Sequence, residues 1–166
     1  LRLAGSHVLG ALGRAPVTEN LNLASAGIAT DPRGFITVNE RLETTAPGIW
    51  AIGDVSGGPQ FTHASLDDYR ILKTNVFGAG GRTRHDRLMP FALFIEPELA
   101  RVGLTEKEAR AQGRALRVAK IPASAIPRAR TSGRTEGFRK AIVDEKTSRI
   151  RGCAIVAAEA GETIST

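Results

Sequence analysis

The sequence is most informative first for what it has little of. It contains one cysteine, Cys153, so no disulfide can form within the chain, and cysteine usage of this kind points to a reducing compartment, the cytoplasm. Cys153 stands in a run of β-branched and small residues, Arg149 to Ala158, where a cysteine acts as a small hydrophobe. Three histidines, His7, His63 and His85, have no clustered cysteines or carboxylates at metal-ligand spacing. Apolar runs such as His7–Leu12 and Gly48–Ile52 stop well short of the roughly 20 residues that span a bilayer, which excludes a membrane helix. No Gly-x-Gly-x-x-Gly follows a strand, because Gly78-x-Gly80 lacks a third glycine and falls in a linker. The opening Leu1-Arg2-Leu3-Ala4-Gly5 has neither a signal-peptide pattern nor a starting methionine and reads as mid-protein sequence.

What is present describes a folded protein: 166 residues, 42% hydrophobic and 24% charged. The net charge of +6 raises the question of nucleic acid, but arginine and lysine are scattered and interleaved with acids. The densest basic cluster, Arg82 to Arg87, is short and free of aromatics, so the charge is read as a solvated surface and no nucleic-acid partner is expected.

Periodicity divides the chain. His7–Gly13 reads as a buried strand ending in a turn, Gly34–Val38 as a half-exposed strand and Gly48–Gly53 as a buried strand. From Thr62 to Phe77 the apolar positions Ala64, Leu66, Tyr69, Leu72 and Val76 recur at helical spacing, with Thr62 placed as the cap. Gly78 to Arg87 forms a linker, which sets a boundary near Leu88. Beyond it, strands are expected over Phe91–Ile95, Ala100–Leu104, Leu116–Ile121, Gly137–Val143 and Arg149–Ala157, the last two joined as a hairpin. Thr105-Glu106-Lys107-Glu108 is a capping box opening a helix to about Gln112, closed by Gly113, and Gly161–Thr166 has the character of a helix start.

The stretch richest in chemistry is Thr45 to Val55. Gly53 at the end of a buried strand admits a ligand to the backbone, and Asp54 just beyond it can accept hydrogen bonds from polyol hydroxyls. The following helix turns its N-terminal amides toward the same crevice. Alone, a Gly-Asp pair is as well explained by a strand-ending turn. The whole string, however, resembles the second flavin-binding motif of the pyridine nucleotide-disulfide oxidoreductases, a group that includes dihydrolipoamide dehydrogenase, glutathione reductase and mercuric reductase. Ala11-Leu12-Gly13-Arg14-Ala15-Pro16 is similar to the family's Ala-Thr-Gly-Arg-x-Pro segment between nicotinamide and flavin domains, with Leu12 and Val17 departing from its Thr and Asn. Pro97 to Glu106 resembles the opening of the family's dimerisation domain, and Phe61 to Ile71, Ile126 to Arg130 and Val156 to Glu162 resemble its mercuric-reductase-like members.

The resemblance implies an α/β fold: the distal part of a Rossmann-like FAD-binding domain over residues 1–88 and an incomplete α+β dimerisation domain over residues 89–166. It implies FAD and NAD(P)H as cofactors and a homodimeric parent that passes electrons to a small-molecule or metal-ion acceptor. Gly53 and Asp54 would face the ribityl chain, Phe61, Thr62 and His63 the flavin's pyrimidine edge through main-chain amides, and Gly13 and Arg14 the passage between domains. His63 is read as contributing its backbone. The family's redox cysteine pair and its distant histidine have no counterpart here, so the chain is expected to be a fragment with no catalytic residue of its own. A second reading is kept beside this one: a non-catalytic dimerisation or assembly module whose flavin site has degenerated, in keeping with Leu12 and Val17.

Overall fold

The computed structural model describes residues 2–85 and 87–165. Leu1, Asp86 and Thr166 lie outside the described residues, and with them one position of the Arg82–Arg87 cluster and the last of the expected C-terminal helix start. The chain forms two compact units, Leu1–Asp86 and Arg87–Thr166, and its class is mixed helix and strand. No described helix is long and apolar enough to cross a membrane.

The first unit is built on turns around one long helix, α1, Thr62–Phe77. Short 3-10 turns occupy Glu19–Leu21, Leu23–Ala26 and Gly53–Ser56. Its core gathers Phe35, Ile36, Leu42, Ala46, Ala51, Ala64 and Ile71, with Leu42 and Ile71 fully enclosed. The strands expected over Gly34–Val38 and Gly48–Gly53 are reduced to single bridges, Thr30 to Ile36 and Glu43 to Trp50. They are fixed instead by separate main-chain bonds, such as Ile36 N–H to the Val55 carbonyl at 2.9 Å and Ala51 N–H to the Leu42 carbonyl at 3.1 Å.

His7–Gly13 is a correction: it forms no strand, and Val8 and Leu12 are 97% and 102% exposed. A strand is stabilised by a neighbour that takes its N–H and C=O groups and covers its apolar face. Among the described residues, no segment pairs with this one. Thr62 is a second correction, since Phe61 takes the extended N-cap conformation, Thr62 is the first helical residue and no side chain caps the end. The buried face of α1 also differs from the expected stripe. It carries Ala64, Asp68 and Ile71, spaced by four and three, while Leu66, Tyr69 and Val76 are exposed.

The second unit is a five-stranded antiparallel sheet in the order β1-β2-β5-β4-β3. The strands are β1 (Phe91–Leu93), β2 (Leu99–Gly103), β3 (Leu116–Pro122), β4 (Phe138–Asp144) and β5 (Ile150–Val156). Helices α2 (Glu106–Ala111), α3 (Pro127–Thr131) and α4 (Ala160–Ser165) lie between or after them. The capping box forms as read: the Thr105 hydroxyl accepts from the Glu108 amide at 3.1 Å, and the Glu108 carboxylate accepts from the Thr105 amide at 2.7 Å. The Asp144–Ser148 turn closes the β4–β5 hairpin, with Asp144 N–H on the Arg149 carbonyl at 2.9 Å. A small core of Ala100, Ala123, Ile155, Ala157 and Ala160 lies on one face of this sheet, and Cys153 packs at its edge as the small hydrophobe expected.

Candidate functional site: the Gly53–Asp54 turn and its cleft

The candidate site begins with a buried acid. Asp68 lies on the inward face of α1, 4% exposed, and its Oδ2 accepts the Gly53 amide at 2.8 Å. That bond anchors the Gly53–Ser56 turn to the helix, and the Ser56 hydroxyl, donating to the Gly53 carbonyl at 2.8 Å, closes it from the other side. Gly53 has φ +72°, a conformation costly to side-chain-bearing residues, and a Cβ built there would stand 2.9 Å from the Ser65 hydroxyl oxygen. The turn therefore requires glycine on two counts. Gly57 ends it, also left-handed, with its amide on the Asp54 carbonyl at 3.1 Å.

The result is that Asp54 is presented outward. Its carboxylate is half exposed and lies 3.6 Å from the Arg14 guanidinium, which is more exposed still. Such a pair in solvent contributes little stability and leaves the carboxylate oxygens available as acceptors. Phe61 and His63 stack with ring centroids 5.3 Å apart and 16° between planes, so the imidazole is occupied as a packing surface. Thr62 and His63 open α1, where main-chain amides have no acceptor one turn back.

A cleft of about 670 Å³ opens beside these residues, lined among others by Arg14, Arg33, Phe35, Gly57, Gly58 and Phe61. Its far wall is fixed by Asp31, whose Oδ1 accepts the amides of Arg33 at 2.8 Å and Phe35 at 3.0 Å. Partial desolvation pushes the Asp31 carboxyl up, but those amides and the Arg33 guanidinium outweigh it and hold it below the usual carboxylate range. Arg33 also lies over the Phe35 ring at 5.1 Å.

Of the seven residues singled out in the sequence, the structure thus brings six into two contacts and a shared turn. Gly53 and Asp54 form the turn, Arg14 reaches Asp54, and Phe61, Thr62 and His63 make the helix entrance. Gly13, left-handed at φ +103°, lies in exposed chain. The sequence reading missed Asp68 and the cleft wall of Arg33, Phe35 and Gly57. A signal for Asp68 was present: it stands four residues after Ala64 and three before Ile71, a carboxylate on the apolar side of an amphipathic helix. Among the described residues, no cluster of three histidine, cysteine or acidic side chains could hold a metal ion.

Comparison with known proteins identifies the family of the chain. The family model described as pyridine nucleotide-disulphide oxidoreductase matches residues 2–68, and that of the same family's dimerisation domain matches residues 89–166. The chain belongs to the pyridine nucleotide-disulfide oxidoreductase family. Members of this family are oxidoreductases that use FAD and NAD(P)H. The chain is 47% identical over 165 residues to the probable pyridine nucleotide-disulfide oxidoreductase RclA of Escherichia coli, an alignment covering 99% of this chain and 37% of that protein. With the mercuric reductase of Staphylococcus aureus it shares 38% identity over 162 residues, 98% of this chain and 30% of the relative. Among solved structures, the HOCl-induced flavoprotein disulfide reductase RclA from Escherichia coli superposes with a TM-score of 0.88 at 47% identity, over 93% of this chain and 36% of that one. LpdA from Mycobacterium tuberculosis gives 0.89 at 30% identity, over 97% and 35%. The chain thus spans about a third of the length of the relatives it matches.

Proposed function

We propose that this chain supplies the ribityl-facing side of an FAD site, together with a subunit-pairing domain, to an NAD(P)H-dependent oxidoreductase that reduces a disulfide or a thiophilic metal ion such as Hg(II) or Cu(II). The observation that carries the reading is the Gly53–Asp54 turn, held on α1 by buried Asp68 so that a half-exposed carboxylate faces outward beside the helix entrance. The donor and acceptor set fits the cofactor. Asp54 accepts from sugar-like hydroxyls, and the Thr62 and His63 amides donate to the electron-rich edge of a heterocycle. Gly53, with no side chain, leaves the backbone open to close approach.

The chemistry such a cofactor supplies is two-electron transfer between NAD(P)H and an acceptor. This chain's residues bind and orient: Asp54 fixes the polyol, α1 presents its dipole, and Arg14 keeps a cation within reach of the Asp54 carboxylate. Cys153 has no second cysteine in the chain, so the paired thiols of the reaction would be contributed by other parts of the protein. The acceptor class is carried over from relatives, of which one is named a mercuric reductase and another was solved as a Cu(II) complex.

The test is flavin content and NAD(P)H oxidation of the full-length protein in which this chain stands. The visible absorbance of bound flavin should be present, at roughly one flavin per subunit. Asp54→Ala should weaken FAD retention by about tenfold or more, the loss of one charge-assisted acceptor, whereas His63→Ala should retain FAD because only its amide is used. A protein that dimerises and never binds flavin would overturn this reading in favour of an assembly module.

A further inference from the structure

The second unit contains a separate cleft that plays no part in the flavin reading. It has a volume of about 130 Å³, several times the roughly 30 Å³ of a liquid water, with core residues Ala123 and Ala157 in its wall. Three arginines, Arg128, Arg134 and Arg139, line it against a single acid, Glu159, which leaves two positive charges in excess.

Two of these cations are not spent within the unit, the third being paired at its edge. Arg134 reaches Glu96 at 3.3 Å, where both side chains are solvated. Among the described residues, Arg128 and Arg139 have no carboxylate within ion-pair distance, and none of the three pairs with Glu159. Arg139 is the more unusual. On β4 it stands directly opposite Ile121 and Ile155, and residues so paired share a sheet face, so it projects from the same face as the buried Ile155. Its Nε is closed off from solvent and has no acceptor. Buried donors are almost always satisfied, and a permanently charged one most of all. The hydroxyl protons nearby are already committed, since Ser132 donates to the Arg128 and Ala129 carbonyls and Thr163 to that of Glu159. Free donors in this cleft are therefore guanidinium groups, whose planar forks match tetrahedral oxyanions.

We propose that this cleft binds a small tetrahedral oxyanion of the phosphate or sulfate class, held between Arg128 and Arg139. The shared chemistry is a dianionic terminal group, supplied by the free ion or by a phosphomonoester.

The experiment is calorimetric titration of the full chain with inorganic phosphate at constant ionic strength, with sulfate, chloride and glycerol phosphate as comparators. Saturable one-site phosphate binding is expected, displaced by sulfate and not by chloride. Glycerol phosphate binding more tightly than inorganic phosphate assigns the site to a phosphomonoester, and the reverse order assigns it to the free ion. Arg139→Gln and Arg128→Gln should each raise the phosphate Kd about tenfold or more, one charge-assisted bond's worth. Arg117→Gln, on β3 with its guanidinium on Ser148, should leave it unchanged. Arg128 is exposed on α3, so its variant carries the test even where Arg139→Gln fails to fold. Absence of saturable phosphate binding, equal binding of chloride, or unaltered affinity in both variants overturns the proposal.

Discussion

Replacing Gly53 by alanine tests the turn that presents Asp54, and the magnitude can be worked from the structure. At φ +72° the new side chain incurs about 1–2 kcal/mol of left-handed strain. The unfolded chain loses freedom, which returns about 0.4–1 kcal/mol. The Cβ would also stand 2.9 Å from the Ser65 hydroxyl oxygen, and displacing that side chain from its rotamer costs about 0.5–1.5 kcal/mol. The net expectation is a loss of about 1–2 kcal/mol from the first unit. Trp50 is the chain's one tryptophan and lies three residues before the substitution, so its fluorescence during urea unfolding reports this unit. With a urea slope of about 1–2 kcal/mol/M, the midpoint should fall by about 1 M. Adding Ser65→Ala separates the two contributions, because it removes the oxygen and leaves the backbone strain. Full recovery in the double variant would refute the strain term, and an unchanged midpoint in Gly53→Ala would refute the geometry of the turn altogether.

The same fluorescence assay applies to Asp68→Ala, which removes the carboxylate acceptor of the Gly53 amide and should destabilise the first unit by about 1.5–3 kcal/mol, with Asp68→Asn less severe. In the second unit, Thr105→Ala breaks the capping box of α2 and should cost about 1 kcal/mol, measured as a lower thermal midpoint by circular dichroism. Asp144 gives a pH dependence. The Thr147 amide, then the Thr147 hydroxyl, and further the Arg151 guanidinium, outweigh desolvation and lower its carboxyl from 3.8 to about 2. A carboxyl lowered on folding stabilises the native state above its unfolded value, so that contribution should be intact above about pH 4 and lost as the pH falls through about 2. Thermal midpoints recorded between those pH values should decline less steeply in Asp144→Asn than in the unaltered chain; parallel curves would count against this assignment.

The second unit was more legible in the sequence than the first for a reason visible in its bonding. Its strands pair with near neighbours, β3 with β4 and β4 with β5 through one tight turn, and α2 carries its own capping box. These elements find their hydrogen-bond partners close in sequence, so local patterns suffice to find them, whereas β2 pairs with the distant β5. In the first unit the same alternation over Gly34–Val38 and the same apolar run over His7–Gly13 were present, yet periodicity records only what a segment could pair with. His7–Gly13 has no pairing segment among the described residues, and its apolar side chains stand uncovered.

The candidate site shows the complementary limit. Gly53, Asp54 and the α1 entrance were legible because their residue types are rare in that combination, and a motif keeps its order along the chain. Asp68 is fifteen residues from the amide it holds, and that bond depends on the rotation of α1 about its axis. Hydropathy favoured Leu66, Tyr69 and Val76 as the buried stripe, but burying them would turn Asp68 away from Gly53 and leave that turn without its anchor. The helix instead buries Ala64 and Ile71 with a carboxylate between them. A polar group is stable there only because it has a specific partner, so the rotation of α1 and the outward presentation of Asp54 are one structural choice. The exposed Leu66 and Tyr69 are the cost of that choice within this unit, and it follows that changing Asp68 should disturb Asp54 before it disturbs the helix itself.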